Sequence, residues 1–135
     1  MNLMARIHTR GLVLRMDPIT LRQQGARCTR EFDSMASAQH DFVCIEADAK
    51  AAWWLPLTAM PEVGCTAIPV SAKSGDRRWA DAPSFYQPDQ CWHAPHKAAQ
   101  LAAAAAHDRT DAKNANTIAA NALPKRSDFP EITGA

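Results

Sequence analysis

The sequence predicts an α+β fold: a small, mostly antiparallel sheet, an aromatic-rich cover segment and Ala-rich C-terminal helices. Three observations lead there. The stretch Asp41–Pro56, DFVCIEADAKAAWWLP, alternates as two strand arms around a polar turn and ends in Trp53–Trp54 and Pro56. Large apolar residues concentrate between Leu12 and Trp92, although the chain as a whole is 47% hydrophobic, because alanine inflates that figure. The run Ala102–Ala106 has the highest helix propensity available. A length of 135 residues suits one domain, expected over residues 1–96, with an Ala-rich helical extension and flexible tail over 97–135.

Each element follows from local chemistry. Gly11–Met16, GLVLRM, is aliphatic, β-branched and bounded by Asp17–Pro18, which favours a strand. Ile19–Gln23 fits a short strand or a helical turn, and Gln24–Arg30 reads as a polar loop around Gly25. Thr29 or Asp33 can cap a short helix running toward Ala38. Asp41–Glu46 is the strongest strand, with Phe42, Cys44 and Glu46 on one side and Val43 and Ile45 on the other. Ala47–Lys50 turns the chain, and Ala52–Leu57 returns antiparallel. Thr58–Met60 forms a turn or short helix stopped by Pro61. Cys65–Val70 is a further strand that Pro69 places at an edge, giving a meander. Beyond Val70, aromatic residues stand among Pro83, Pro88 and Pro95, which predicts irregular backbone folded across the sheet. Ala98–His107 should be helical but has little apolar face besides Leu101, so weak docking is expected. Asp111–Leu123 is a second alanine- and asparagine-rich segment, stopped by Pro124, and Ser127–Ala135 reads as a loose tail.

Formal net charge is +1, which gives the whole chain no nucleic-acid footprint. The distribution is less even: arginines crowd the first forty residues and carboxylates crowd the hairpin. None of the four cysteines stands in a CxxC pair. No signal peptide, transit peptide or transmembrane run is visible, so a cytoplasmic protein with reduced thiols and no membrane contact is expected.

The order of elements resembles one branch of the PD-(D/E)xK nucleases, the group I intron homing-endonuclease type. Gly11–Met16, Asp41–Ile45, Trp53–Pro56, Thr66–Val70, Trp79 and Trp92 carry the resemblance, which covers about residues 5–93. In that family the metal-holding carboxylates and lysine precede the segment that begins here at Gly11. Met1–Arg10 contains no Asp, Glu or Lys. The resemblance therefore implies the non-catalytic, C-terminal half of such a nuclease.

Candidate chemistry can be placed residue by residue. Lys73–Trp79, KSGDRRW, sets Lys73, Arg77 and Arg78 beside Gly75 and an aromatic ring. Arginine grips phosphate, glycine lets backbone approach closely and Trp79 can stack a base, but the spacing is not that of a P-loop. Trp53 and Trp54 face opposite sides of a regular strand; one is core, and the other is covered by the aromatic segment or offered to a partner. Trp54 is taken as the contact residue. Cys91, His93 and His96 form CxHxxH, which suits a metal only if a fourth ligand approaches in space; the alternative is a polar helix start. Glu46 and Asp48, with Asp41 before them, read as a carboxylate pair or as a solvated turn. Cys28, between Arg27 and Arg30 with His40 as a base, is a candidate thiolate.

These features favour a non-enzymatic binding protein without cofactor. Its sheet and the Lys73–Trp79 loop would contact a protein or nucleoprotein complex, with nucleic acid as a further partner class. By analogy this suits an inhibitor-like accessory protein of a phage or mobile element. The alternatives are a subunit of a divergent metal-dependent nuclease and a structural assembly subunit. The sequence sets no oligomeric state.

Overall fold

The computed structural model describes residues 8–30, 40–60, 63–108 and 115–132. The fold is α+β, and its centre is a seven-stranded sheet ordered β2-β8-β4-β3-β1-β9-β6. The strands are β1 (Leu12–Met16), β2 (Arg27–Cys28), β3 (His40–Ala47), β4 (Ala51–Leu57), β6 (Lys73–Ser74), β8 (Trp92–Pro95) and β9 (Asn116–Ile118). All of their pairings are antiparallel. A second, two-stranded sheet joins β5 (Thr66–Ile68) to β7 (Ser84–Tyr86). Among the described residues three α-helices accompany them: α1 (Pro18–Gln23), α2 (Arg77–Ala80) and α3 (His96–Ala105).

The β3–β4 hairpin forms as its alternation predicts. Its turn is fixed by Asp48, whose Oδ1 accepts from the backbone N–H groups of Lys50 (2.8 Å) and Ala51 (2.9 Å). A β-bulge between Cys44 and Glu46 corrects the expected facing of β3. Cys44 pairs with Trp54 and Glu46 with Trp53, so Glu46 lies on the face of Val43 and Ile45, opposite Phe42 and Cys44. The period-2 rule assigns the wrong face after one inserted residue.

The sheet is not a meander, because among the described strands β3 and β4 are the one pair of neighbours consecutive in sequence. Ile19–Gln23 resolves as helix: Asp17 caps it through Ile19 N–H, and Pro18 occupies its first turn. Part of the expected polar loop is instead edge strand β2, paired with β8. The helix expected from Thr29 or Asp33 toward Ala38 and the stop at Pro61 lie outside the described residues, apart from Thr29 itself. The aromatic segment is more regular than its prolines suggest. Trp92 belongs to β8, beside β4, where backbone pairing overrides local signals. Asn116–Ile118, expected within a helical stretch, is β9, and Phe129, expected in the loose tail, is buried.

Both faces of the main sheet are covered. One buries Leu14, Met16, Phe42, Trp54 and Trp92 under α1 and α3. The other buries Val13, Val43, Ile45, Leu55 and Ile118 under Ile68 of β5, Leu123 and Phe129, with Trp53, Trp79 and Tyr86 at its margin. Helix α3 docks firmly, contrary to the sequence expectation. Ala98, Ala99, Ala102 and Ala103 are its buried face, while Leu101 points outward. Small side chains let the helix lie close to its neighbours, close enough for Asp17 N–H to reach the Ala102 carbonyl at 3.1 Å. Ala102→Leu is therefore expected to destabilise the fold by about 1–3 kcal/mol through overpacking. Leu101→Ala should stay within about 0.5 kcal/mol. Urea denaturation of the two variants checks this.

Candidate functional site

Residues Lys73–Asp81 form a pinned surface segment. Lys73 starts at the sheet edge in β6, paired with Ile118 of β9. Its ammonium is buried and donates to the Trp79 carbonyl (2.7 Å), the Ala82 carbonyl (2.7 Å) and Ser84 Oγ (2.6 Å). It also lies 4.3 Å from the centre of the Trp79 ring. Burial lowers the Lys73 pKa, and the carboxylates of Asp41 and Asp81 pull it back up. Lys73 is thus a structural anchor rather than the expected surface contact. Gly75 takes φ +128°, and a side chain there would run into Asn116. Asn116 Oδ1 accepts from Asp76 N–H (2.8 Å), and Asp76 Oδ1 in turn accepts from Arg78 N–H at the start of α2 (3.0 Å).

These constraints leave Arg77 and Arg78 in solvent. The Arg77 side chain is 94% exposed, and among the described residues its one ion pair is a 4.0 Å contact with Asp81 one turn on. Trp79 turns inward against the second face of the sheet. Of the predicted contact residues, the structure therefore offers the two arginines and withdraws Lys73 and most of Trp79. Trp54 is withdrawn as well: it is fully buried on the α1/α3 face. Its neighbour Trp53 is half-buried, between the Arg126 guanidinium at 3.8 Å and the His93 ring at 4.6 Å.

The other candidates are dispersed. Cys91 is buried, His93 packs on Trp53, and His96 opens α3, where its Nε2 donates to the Asp48 carbonyl (2.6 Å) and its Nδ1 meets Nδ1 of His8 (2.8 Å). Among the described residues, no three His, Cys, Asp or Glu side chains converge as metal ligands. Burial pushes the Cys44 and Cys91 thiols up to about 12 and raises Cys28 despite Arg30, so these three remain thiols at neutral pH. Asp48 is held below the usual carboxylate range by the N–H groups of Lys50 and Ala51, while burial raises Asp41 against the pull of Arg15. Two carboxylates shifted in opposite directions would suit acid–base work, but Asp48 sits in the turn and Asp41 pairs across β1 with Arg15 at the other end of β3.

Burial also lowers the His93 pKa, with Arg27 and Arg126 adding to the effect against Asp48. The unfolded chain then binds the proton more readily than the folded one. This contribution to stability is present above a pH of about 6.5 and is lost as pH falls toward the depressed folded value. His93→Gln should flatten the decline in stability between about pH 7.5 and 5.5, measured by denaturant unfolding at each pH.

A cleft that the sequence did not signal lies at one end of the sheet, with a volume of about 800 Å³. It joins the arm before β1, the bulged end of β3 and the segment after Pro124. Arg10 ties these together. Its guanidinium donates to the carbonyls of Ile45, Pro124, Ala120 and Leu123 at 2.8–2.9 Å. No local motif could reveal a cleft built from three segments so far apart in the chain.

Comparison with protein-family models, with curated proteins and with solved structures finds no match to this chain. No helix among the described residues is long and apolar enough to cross a membrane.

Proposed function

We propose that this chain is a non-enzymatic binding protein that engages an anionic surface of a partner complex through Arg77 and Arg78. One observation carries the reading: an arginine pair stands in solvent on a segment fixed from beneath by a buried ammonium, an Asp cap and the Gly75–Asn116 contact. A contact held in place before binding loses little conformational freedom on association. Arginine matches carboxylate or phosphate with two parallel N–H donors. The same chemistry suits an acidic protein face or the phosphates of a nucleoprotein complex. An inhibitor-like accessory role in a phage or mobile element is consistent with this mode of contact.

Co-elution on size exclusion tests the proposal, with the tagged chain purified from its native host and the partner identified by mass spectrometry. The double variant Arg77→Ala/Arg78→Ala should weaken the complex about tenfold or more, and the wild-type complex should weaken with added salt. Co-elution unchanged in the double variant would overturn the reading.

A further inference from the structure

We propose that the cleft beside Arg10 binds a small organic anion, a carboxylate or a phosphate monoester on an apolar body. The inference does not depend on Arg77 or Arg78, which do not line the cleft.

The charge of the lining is the first argument. Arg10 has four carbonyl acceptors for its terminal N–H groups. Carbonyls satisfy donors without cancelling charge, so the guanidinium remains a net cation. Among the described residues Arg126 has Glu131 as its ion-pair partner, at 3.3 Å, and donates to the Phe129 carbonyl at 3.2 Å; the Glu131 side chain is 89% exposed, which makes the pair a weak one. Lys125 is exposed and has no carboxylate within ion-pair distance among the described residues. Among the lining residues these three cations face two carboxylates, Glu46 and Glu131, while the Asp128 carboxylate lies outside the lining, accepting from the Lys125 backbone N–H at 2.9 Å.

Size and rigidity are the second. A volume of about 800 Å³ suits a small molecule. Ile45 and Ala47 give one wall apolar character, and Glu46 beside them would repel a polyanion. The walls are already fixed, one by the Arg10 hydrogen bonds and the other by Arg126 stacked on Trp53. Little ordering is then required of the protein on binding.

Titration of the isotope-labelled chain with benzoate, phenyl phosphate and benzyl alcohol, followed by amide NMR shifts, tests the site. Saturable shifts at Thr9, Glu46, Lys125 and Ser127 are expected with one or both anions and not with the neutral alcohol. Whichever anion binds more tightly identifies the head group. Lys125→Gln should weaken binding about tenfold and Glu46→Gln should strengthen it several-fold. Both residues are exposed, and an unchanged unfolding midpoint will show that the fold is intact. Benzyl alcohol binding as well as the anions, affinity unmoved by both substitutions, or no saturable shift up to about 10 mM ligand would each overturn the proposal.

Discussion

Trp54→Ala is expected to cost about 3–5 kcal/mol of folding stability, against about 1–2 kcal/mol for Trp53→Ala. The two tryptophans are adjacent in sequence but sit in different physical settings. Trp54 has no exposed surface and lies in the row Cys44–Trp54–Trp92 that crosses the sheet beneath α3. Truncation there would leave a cavity that rigid strands on both sides cannot close. Trp53 is half-buried and rests against Arg126 and His93, both of which can follow its loss. Its substitution forfeits one cation–π contact and some area. The Trp54 indole N–H has no acceptor among the described residues, so Trp54→Phe removes a buried unpaired donor and should cost clearly less than Trp54→Ala. Urea denaturation followed by far-ultraviolet circular dichroism ranks the three variants. Equal losses for the two alanine variants would refute the assignment of faces.

Lys73→Met is expected to destabilise the protein by about 2–4 kcal/mol, although methionine matches the length of the lysine stem. The substitution strands two backbone carbonyls and a hydroxyl that now share one ammonium. Each buried group left unsatisfied costs about 1–3 kcal/mol, offset in part by the charge that no longer has to be desolvated. Arginine should rescue poorly, since a planar fork cannot satisfy three acceptors arranged around one nitrogen. The fold and the contact surface should fail together here, whereas Arg77→Ala/Arg78→Ala should leave stability within about 0.5 kcal/mol. Thermal melts and denaturant titrations of both variants separate the anchor from the contact.

How far the structure could be read from sequence depends on how local each determinant is. The hairpin was legible because alternation and turn chemistry sit within the sixteen residues from Asp41 to Pro56, and Asp48 fills the role expected of a turn carboxylate. The bulge was not legible, since an inserted residue leaves no mark in composition. Strands β2, β6 and β9 are two or three residues long and exist only through partners far away in the chain. Pro88 and Pro95 hid β8, although Pro95 closes the strand rather than interrupting it. The alanines of α3 offer no large apolar face in the sequence, yet their small size is what allows close packing. In the candidate site, the charge of Arg77 and Arg78 is visible in the sequence; Gly75 reads there as room for a ligand to approach, whereas the neighbour that requires glycine is Asn116. The burial of Lys73 was not, because only the approach of Trp79, Ala82 and Ser84 makes a buried ammonium tolerable.

The proposed function requires the arginine pair to be held still. Backbone ¹⁵N relaxation of the isolated protein over Gly75–Asp81 measures this directly. Order parameters of about 0.85, equal to those of β3 and β4, are predicted; values below about 0.6 across Asp76–Arg78 would describe a mobile loop and contradict a contact surface set before binding.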